Sequence, residues 1–325
     1  MGVASARRSI VLGANGQDGS ILVEQLLERG DTVMGIGRQS GPRFALPQER
    51  FQYRCVDLCD PEALAAALGE FRPSQAYHLA AIHGADGFPY EAVWGDALAV
   101  NVGALHTVLE YARVHDPRLR IAYASSSKVF GTPLHGAIDE ATPRRSECLY
   151  SITKNSAEQL IDHYAREHAI FGAVAYLFNH ESERRGAQYF IPTISAILAR
   201  ALEDPDYRQS VRTLDFYCDW GSAHDYMQWF RELLELDAPN KVIFATGDVR
   251  YGRDFVTQLF ARHGRVAADH VIENACTTDS EAFTVSVSKR QSLIAQDPCE
   301  DVFAVCDRIL STLSAPRLEA AGREN

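Results

Sequence analysis

The sequence predicts an α/β protein built on a doubly wound parallel sheet, with a smaller C-terminal lobe. Short apolar runs alternate with segments of helical periodicity through the first 180 residues, beginning with a run at residues 9–13 and an amphipathic stretch from residue 21. A glycine-rich turn joins that first strand to the first helix. Apolar residues make up 46% of the 325 residues, which is enough for a core of more than one layer.

The glycine-rich turn carries Gly13, Gly16 and Gly19 at the spacing G-x-x-G-x-x-G. Between a first strand and a first helix, such a turn lets the backbone approach a pyrophosphate at the positive helix end. We therefore predict a Rossmann-like dinucleotide-binding domain over residues 1–180, to which strands at about 210–260 return, and a partly interleaved substrate-binding lobe over about 181–325. The predicted cofactor contacts in the turn and at later strand ends are Gly13, Asn15, Gly16, Gln17, Asp18, Gly19, Asp57, Leu58, Leu79, Ala80 and Ala81.

The residue at the end of the second strand indicates which dinucleotide binds. An acidic residue there would hold the ribose 2′-hydroxyl of NAD, whereas an arginine favours the 2′-phosphate of NADP. Arg38 occupies that position, and Arg43 lies close by in the sequence. The sequence thus favours NADP, with NAD as the alternative.

Global composition excludes several classes of partner and site. The net charge of −11 argues against nucleic-acid and anionic-membrane partners. The seven cysteines lack disulfide or metal-ligand spacing, so we expect reduced thiols and no metal. No signal peptide is visible and no apolar stretch approaches the roughly 20 residues of a membrane span, so we expect a cytoplasmic location.

A serine, a tyrosine and a lysine form the candidate catalytic group. Tyr150 and Lys154 share one face of a predicted helix because residues four apart are neighbours there. Ser126 follows a predicted strand at residues 119–124 and can meet that face. Such a trio can take a proton from a substrate hydroxyl while a nicotinamide takes the hydride, with the ammonium lowering the tyrosine pKa. Tyr150 and Lys154 therefore also count as cofactor contacts.

The second half of the chain shows a looser pattern. Residues 219–221 and 225–226 are predicted to bracket a turn before a helix at 227–236. Arg250 and Arg253 are predicted to begin a helix near a substrate diphosphate. His83 lies in a predicted loop over the site and is expected near the substrate, as is Ser127.

Four segments together resemble the extended short-chain dehydrogenase/reductase family, the NAD-dependent epimerases and dehydratases of nucleotide sugars, and within it the GDP-mannose 4,6-dehydratase branch. They are residues 13–20, 177–182 with 184–186, 219–221 and 225–226. The resemblance implies Ser126, Tyr150 and Lys154 as the catalytic trio, and Asn179 and Arg185 as substrate contacts. It also implies a GDP-sugar substrate. The loop from Arg38 to Phe44 would bind the 2′-phosphate and reach a neighbouring subunit, in a homodimer or homotetramer.

Three positions depart from the dehydratase pattern. Lys128 stands where that branch has the glutamate that removes the sugar C5 proton, and Cys218 and His224 stand where it has arginines. A protonated lysine cannot take up a proton. The oxidation half of the chemistry is therefore expected to be intact. Lys128 stays among the catalytic candidates, although a substrate-contacting or structural role is favoured.

Four functions follow, of which a C4 epimerase that oxidises and re-reduces a sugar hydroxyl is favoured. The second is a 4,6-dehydratase that uses another base, with Lys128, His83, Cys148 and Glu181 as candidates. The third is a 4-keto-sugar reductase. The fourth is a non-catalytic dinucleotide sensor, disfavoured because tyrosine, lysine and serine are all present.

Overall fold

The computed structural model describes residues 7–44, 49–84, 88–274 and 281–314. The predicted disorder of the last ten or so residues lies outside these ranges.

The strands are β1 (Arg8–Leu12), β2 (Thr32–Gly37), β3 (Phe51–Cys55), β4 (Gln75–His78), β5 (Arg120–Ser126), β6 (Gly136–Ile138), β7 (Phe171–Leu177), β8 (Asn179–Glu181), β9 (Gln209–Val211), β10 (Tyr217–Ser222), β11 (Lys241–Phe244), β12 (Val249–Tyr251), β13 (Val271–Glu273) and β14 (Phe283–Val285). The α-helices are α1 (Gln17–Arg29), α2 (Pro61–Phe71), α3 (Trp94–Leu98), α4 (Ala104–His115), α5 (Leu149–His168), α6 (Phe190–Glu203), α7 (Ala223–Glu232), α8 (Gly252–Arg262), α9 (Ala267–His270), α10 (Ser288–Leu293) and α11 (Val302–Ser314).

Seven parallel strands form the main sheet in the order β11-β7-β5-β4-β1-β2-β3. The order reverses beside β1, which pairs with both β2 and β4. Ligands of doubly wound sheets bind at the carboxyl ends of the strands next to such a reversal. The predicted fold class is thus confirmed, and the sheet places the glycine-rich turn after β1 beside the end of β4.

Apolar side chains cover both faces of the main sheet. One layer joins the sheet to α2, α4 and α5, and the other joins it to α1 and α7. Leu105 and Leu109 are fully buried in the first layer, and Leu22, Leu26 and Trp229 in the second. Burial of each such side chain is worth about 1.5–3 kcal/mol, so the sheet is fixed from both sides.

The second lobe has its own core and small sheets. Its apolar cluster joins α6, α8 and α11 through residues such as Ile197, Phe260 and Val305. Of the strands expected to return over 210–260, β11 pairs with β7 in the main sheet. β10 and β12 instead join β8 in a separate three-stranded sheet.

Several element assignments from the sequence are wrong. The turn predicted between residues 219–221 and 225–226 is instead the direct junction of β10, which ends at Ser222 and pairs with β8 and β12, with α7. The following helix α7 starts at Ala223, four residues before the predicted start. Arg250 lies in β12 rather than at a helix start. These segments are extended because strands distant in the chain pair with them, a preference that local sequence does not encode.

The helical run Tyr90–His115 contradicts one expectation about apolar stretches. By length and composition alone it is long and apolar enough to cross a membrane. Leu105, Val108 and Leu109 of this run nevertheless lie in the core of the described structure, in the layer beside the main sheet. Core helices of globular domains pass the same test of length and apolarity.

Candidate active site

The glycine-rich turn is shaped by contacts that admit no side chain. Gly13 has φ +91°, and a Cβ there would lie 2.7 Å from the backbone nitrogen of Ala80. A Cβ on Gly19 would lie 2.1 Å from the Gly13 carbonyl oxygen. Gly16 precedes α1 without any side-chain cap, so the first backbone N–H groups of the helix face outward. This cradle fits a dinucleotide pyrophosphate.

Gln17 and Asp18, predicted as cofactor contacts, direct their side chains elsewhere. Gln17 Nε2 donates to the His180 carbonyl at 3.2 Å, and Gln17 Oε1 accepts from Ser182 at 2.9 Å. Asp18 faces His180 Nε2 at 3.0 Å. The side chains of both residues thus tie α1 to β8.

The loop after β2 folds back over the glycine-rich turn. The Asn15 side-chain amide donates to Gln39 Oε1, the Gly41 carbonyl and the Tyr53 hydroxyl, and its oxygen accepts from the Arg43 backbone. Asn15 therefore positions the loop. Arg38 and Arg43 have exposed side chains on it.

Other predicted cofactor residues surround the same edge. Asp57 is exposed, and its carboxylate accepts from the Cys59 backbone at 3.0 Å, while Leu58 is buried. Leu79, Ala80 and Ala81 follow β4 and are partly exposed. Phe44, at the end of the loop after β2, packs beneath the Arg184 guanidinium of the same chain at 4.5 Å from its ring centroid.

The predicted trio comes together at the carboxyl end of β5. Ser126 ends β5, and its Oγ accepts from the Lys128 backbone at 3.3 Å. Tyr150 and Lys154 lie in the first turns of α5 and are both buried. Lys154 Nζ donates to the Ala124 carbonyl at 2.7 Å and lies 5.5 Å from the Tyr150 ring centroid.

Burial dominates the electrostatics of the trio. It raises the pKa of the Tyr150 hydroxyl well above its usual value, and Tyr90 and Tyr189 act in the same direction. It lowers the pKa of the Lys154 ammonium to about 7. The positive charge of Arg185 lowers the pKa of Tyr150 against these effects, so a cation nearby favours the phenolate.

Aromatic rings that the sequence did not single out surround Tyr150. Tyr90 stacks on it with 5.8 Å between ring centroids, and His83 lies at the same centroid distance. Tyr189 faces His83 Nδ1 through its hydroxyl at 3.4 Å. Tyr90 begins the helical run Tyr90–His115 and Tyr189 directly precedes α6, so both contacts join segments distant from α5 and only the tertiary structure reveals them.

Arg185 and Glu181 extend this wall. The Arg185 guanidinium lies 3.7 Å from the Tyr189 ring centroid, and its Nε is 3.5 Å from Glu181 Oε2. Burial raises the pKa of Glu181 to about 7, although the charge of Arg185 opposes the shift. Glu181 is thus a buried carboxyl group that can exchange a proton near neutral pH.

The remaining predicted residues fall into two groups. Ser127 is buried after β5. Exposed Asn179, a predicted substrate contact, donates to Cys218 Sγ at 2.7 Å. Cys218, which replaces an arginine of the dehydratase pattern, therefore contacts a predicted substrate residue. Arg253 instead pairs with Glu273 at 2.6 Å. His224 faces Glu183 at 3.3 Å. Contacts within the lobe thus occupy Arg253 and His224.

Free thiols and metal ligands complete the description of the site. The six described cysteines, Cys148 among them, are unpaired. Cys148 caps α5 by accepting from the Ser151 backbone. Over residues 7–44, 49–84, 88–274 and 281–314, no three histidine, cysteine or acidic side chains are grouped as metal ligands.

Comparisons with known proteins place the chain in a family. The family model described as GDP-mannose 4,6 dehydratase matches residues 10–306. The GDP-mannose 4,6-dehydratase of Yersinia enterocolitica is 32% identical over 269 residues, which cover 77% of this chain and 70% of the relative. The corresponding protein of Cricetulus griseus is 29% identical over 270 residues, covering 79% and 72%.

A solved structure shares the fold. It is a putative epimerase from Burkholderia cenocepacia, with a TM-score of 0.83 at 23% identity, and the match covers 97% of this chain and all of that one. Sequence and structure agree on one class of protein. The chain belongs to the GDP-mannose 4,6-dehydratase family, among the nucleotide-sugar dehydratases and epimerases of the short-chain dehydrogenase/reductase type.

Proposed function

We propose that the chain oxidises the C4 hydroxyl of a GDP-linked sugar and re-reduces the resulting ketone, so that the net reaction is C4 epimerisation. The carrying observation is the site after β5, where Ser126, Tyr150 and Lys154 converge and Lys128 follows instead of a carboxylate. Epimerisation requires a proton to leave and return at one oxygen. Dehydration also requires a base for the C5 proton, and an ammonium group cannot serve as one.

Each side chain of the trio has its own role in the oxidation step. Ser126 Oγ orients the sugar O4, and Tyr150 takes its proton as a phenolate. Lys154, 5.5 Å from the ring centroid, stabilises that phenolate by its charge. Bound NAD(P) supplies the hydride acceptor and then the donor. The aromatic rings of Tyr90, His83 and Tyr189 exclude water while the ketone turns its other face to the cofactor.

The choice of NADP as cofactor and the choice of a guanine nucleotide in the substrate are supported by different observations. The turn from Gly13 to Gly19 fits a pyrophosphate, and exposed Arg38 and Arg43 favour NADP over NAD. Structural neighbours include enzymes solved with NAD, among them a dTDP-glucose 4,6-dehydratase from Bacillus anthracis. The named relatives act on GDP-mannose, which favours a guanine nucleotide.

Dehydration is the second candidate, supported by Glu181. Its carboxyl group is buried, its pKa is raised to about 7 by that burial, and its Oε2 accepts no hydrogen bond within the described residues. Such a group can accept a proton near neutral pH. The names of the relatives also favour dehydration.

Incubation of the purified protein with a panel of GDP-sugars in D2O tests the two functions. We expect a product of unchanged mass, inverted at C4 and without solvent deuterium, by mass spectrometry and NMR. Loss of water with deuterium at C5 would replace epimerisation by dehydration. If only UDP- or CDP-sugars react, the guanine assignment is wrong.

A further inference from the structure

We propose that Lys128 forms a subsite for a carboxylate on the sugar, so that the substrates are nucleoside diphosphate hexuronic acids. This inference rests on the proposed function, because it takes the sugar to lie with its C4 hydroxyl at Ser126 and Tyr150. It assigns the substituent at C5, which that function leaves open. Four observations lead to it.

The first observation is where Lys128 lies. It follows β5 in the short 3-10 turn Ser127–Phe130, and its backbone N–H donates to Ser126 Oγ at 3.3 Å. That hydrogen bond fixes the Lys128 backbone beside the hydroxyl that holds the sugar O4. On a pyranose ring C5 is bonded to C4, so a side chain next to Ser126 can reach the C5 substituent.

The second observation is that Lys128 has no acidic partner in the described part of the chain. Arg185 lies 3.5 Å from Glu181 and Arg144 lies 3.2 Å from Glu158, whereas Lys154 donates to the Ala124 carbonyl. Lys128 is also partly buried rather than fully solvated. A ligand carboxylate would supply the counter-ion that Lys128 lacks among the described residues, in a setting less solvated than the open surface.

The third observation is the sign of the local field. Desolvation lowers the pKa of His83, whose side chain nonetheless has exposed surface. The positive charges of Arg185 and Lys154 lower this pKa further, Asp18 opposes them, and Lys128 adds the smallest effect, in the lowering direction. Lys128 therefore acts on the same ring that lies 5.8 Å from Tyr150. The charge of Lys128 is thus felt beside Tyr150, and a carboxylate on the sugar would give Lys128 a counter-charge that a neutral hexose does not provide.

The fourth observation concerns residue usage. The chain has 32 lysines and arginines, of which only Lys128, Lys154, Lys241 and Lys289 are lysines. Lys154 belongs to the trio, and Lys241 pairs with Glu158 and Asp162. Lysine is thus rare on this surface, and a compact ammonium suits a single carboxylate approached from one side. In a hexose the group bonded to C5 is CH2OH, whereas in a hexuronic acid it is the carboxylate that Lys128 would bind.

The test measures ligand affinity by calorimetry in NADP-loaded protein carrying Tyr150→Phe, so that no turnover complicates binding. The probes are GDP-mannuronic acid, GDP-mannose and GDP alone, with UDP-glucuronic acid and UDP-glucose as a second pair. We expect the hexuronic acid of one pair to bind about 10–100-fold more tightly than its neutral sugar, the range for a charge-assisted hydrogen bond.

Variants at position 128 assign that preference to one residue. Lys128→Met should remove most of it, Lys128→Arg should retain it, and Lys289→Met on α10 serves as the matched lysine control. If the protein with Lys128 unchanged binds the nucleotide-linked hexuronic acid and its neutral counterpart equally well, the proposal is overturned. So would a Lys128→Met variant that weakens GDP alone as much as the hexuronic acid, since Lys128 would then contact the diphosphate.

Turnover by the protein with Tyr150 intact separates this inference from the proposed function. C4 epimerisation of a neutral sugar-nucleotide without use of the hexuronic acid would contradict the carboxylate subsite alone. Preferential binding of the hexuronic acid without any C4 epimerisation would contradict the proposed function and leave the subsite standing.

Discussion

His180 donates a hydrogen bond from Nε2 to the Asp18 carboxylate over 3.0 Å, while its Nδ1 faces the Phe178 carbonyl at 2.7 Å. Because both ring nitrogens face acceptors, both carry protons, and the ring is an imidazolium. Asp18 raises the pKa of His180 although burial lowers it, and His180 lowers the pKa of Asp18 although burial raises it. This pair joins the first turn of α1 to β8, so it couples the glycine-rich turn to the Asn179 segment.

Asp18→Asn should destabilise the fold by about 2–4 kcal/mol, because it leaves a buried imidazolium without its counter-ion. Urea unfolding followed by circular dichroism measures the change. Asp116→Asn is the matched control, since Asp116 pairs with an almost fully exposed Arg118 and such pairs contribute about 0–1 kcal/mol. Equal effects of the two substitutions would contradict a structural role for the Asp18–His180 pair.

The stability contributed by this pair should depend on pH. The folded pKa of His180 lies above 6.5, so its contribution is complete below pH 6.5 and is lost as pH rises through the folded value. The folded pKa of Asp18 lies below 3.8, so its contribution is complete above pH 3.8 and is lost as pH falls further. The difference in unfolding free energy between the unsubstituted protein and Asp18→Asn should therefore be larger at pH 5.5 than at pH 9. If this difference in unfolding free energy instead grows as the pH rises, His180 is not an imidazolium paired with Asp18.

Tyr150→Phe should lower turnover of the sugar-nucleotide at least 100-fold while NADP still binds, because the variant removes only the proton-accepting hydroxyl. Turnover is read by NMR and NADP binding by calorimetry. Tyr111→Phe, a buried tyrosine on α4 facing away from the trio in the layer with α2, is the control. Unchanged turnover in Tyr150→Phe would remove the catalytic assignment and favour a dinucleotide sensor.

Arg38→Ala should weaken NADP binding about 10–100-fold and leave NAD binding nearly unchanged, since the guanidinium would bind only the 2′-phosphate. Fluorescence titration with the two cofactors measures both affinities. Arg54→Ala is the control, because Arg54 on β3 already pairs with Glu70. Parallel loss of both affinities would point to a structural role for Arg38 in the loop.

Gly19→Ala should destabilise the protein by about 2 kcal/mol or more, because the added Cβ would lie 2.1 Å from the Gly13 carbonyl oxygen. Gly69→Ala in α2 is the control, and it should have the opposite effect on stability. A Cβ there meets nothing within 4 Å, and alanine in a helix is better than glycine by about 1 kcal/mol. Thermal unfolding should therefore move in opposite directions for the two variants, and a Gly19→Ala protein as stable as the unsubstituted one would contradict the close approach.

The sequence predicted the glycine-rich turn and the placement of Tyr150 and Lys154 on one helix because both features are encoded locally. The turn from Gly13 to Gly19 lies between a strand and a helix that adjoin it in the chain. Lys154 follows Tyr150 by one helical turn, and helix geometry alone brings them to one face. Local patterning also predicted the alternation of strands and helices, and hence the parallel sheet.

Contacts between distant segments explain what the sequence analysis missed or misplaced. Residues 219–221 form a strand because β8 and β12 pair with them. The side chains of Gln17 and Asp18 bond to residues of the β8 segment, more than 160 positions away, which the sequence analysis did not predict. Tyr90, at the start of a helical run, contacts Tyr150, and Tyr189, just before α6, contacts His83.

By itself the sequence determined a doubly wound sheet, a dinucleotide turn and a tyrosine–lysine pair, since each depends on spacing within a single element or between adjacent ones. Only the tertiary structure decided that the Asp18 carboxylate pairs with His180 and that Lys128 is without an acidic partner in the described part of the chain. The physical reason is that a side chain's charge partner depends on which distant residues the fold brings within a few ångströms, and neither periodicity nor motif spacing specifies that distance.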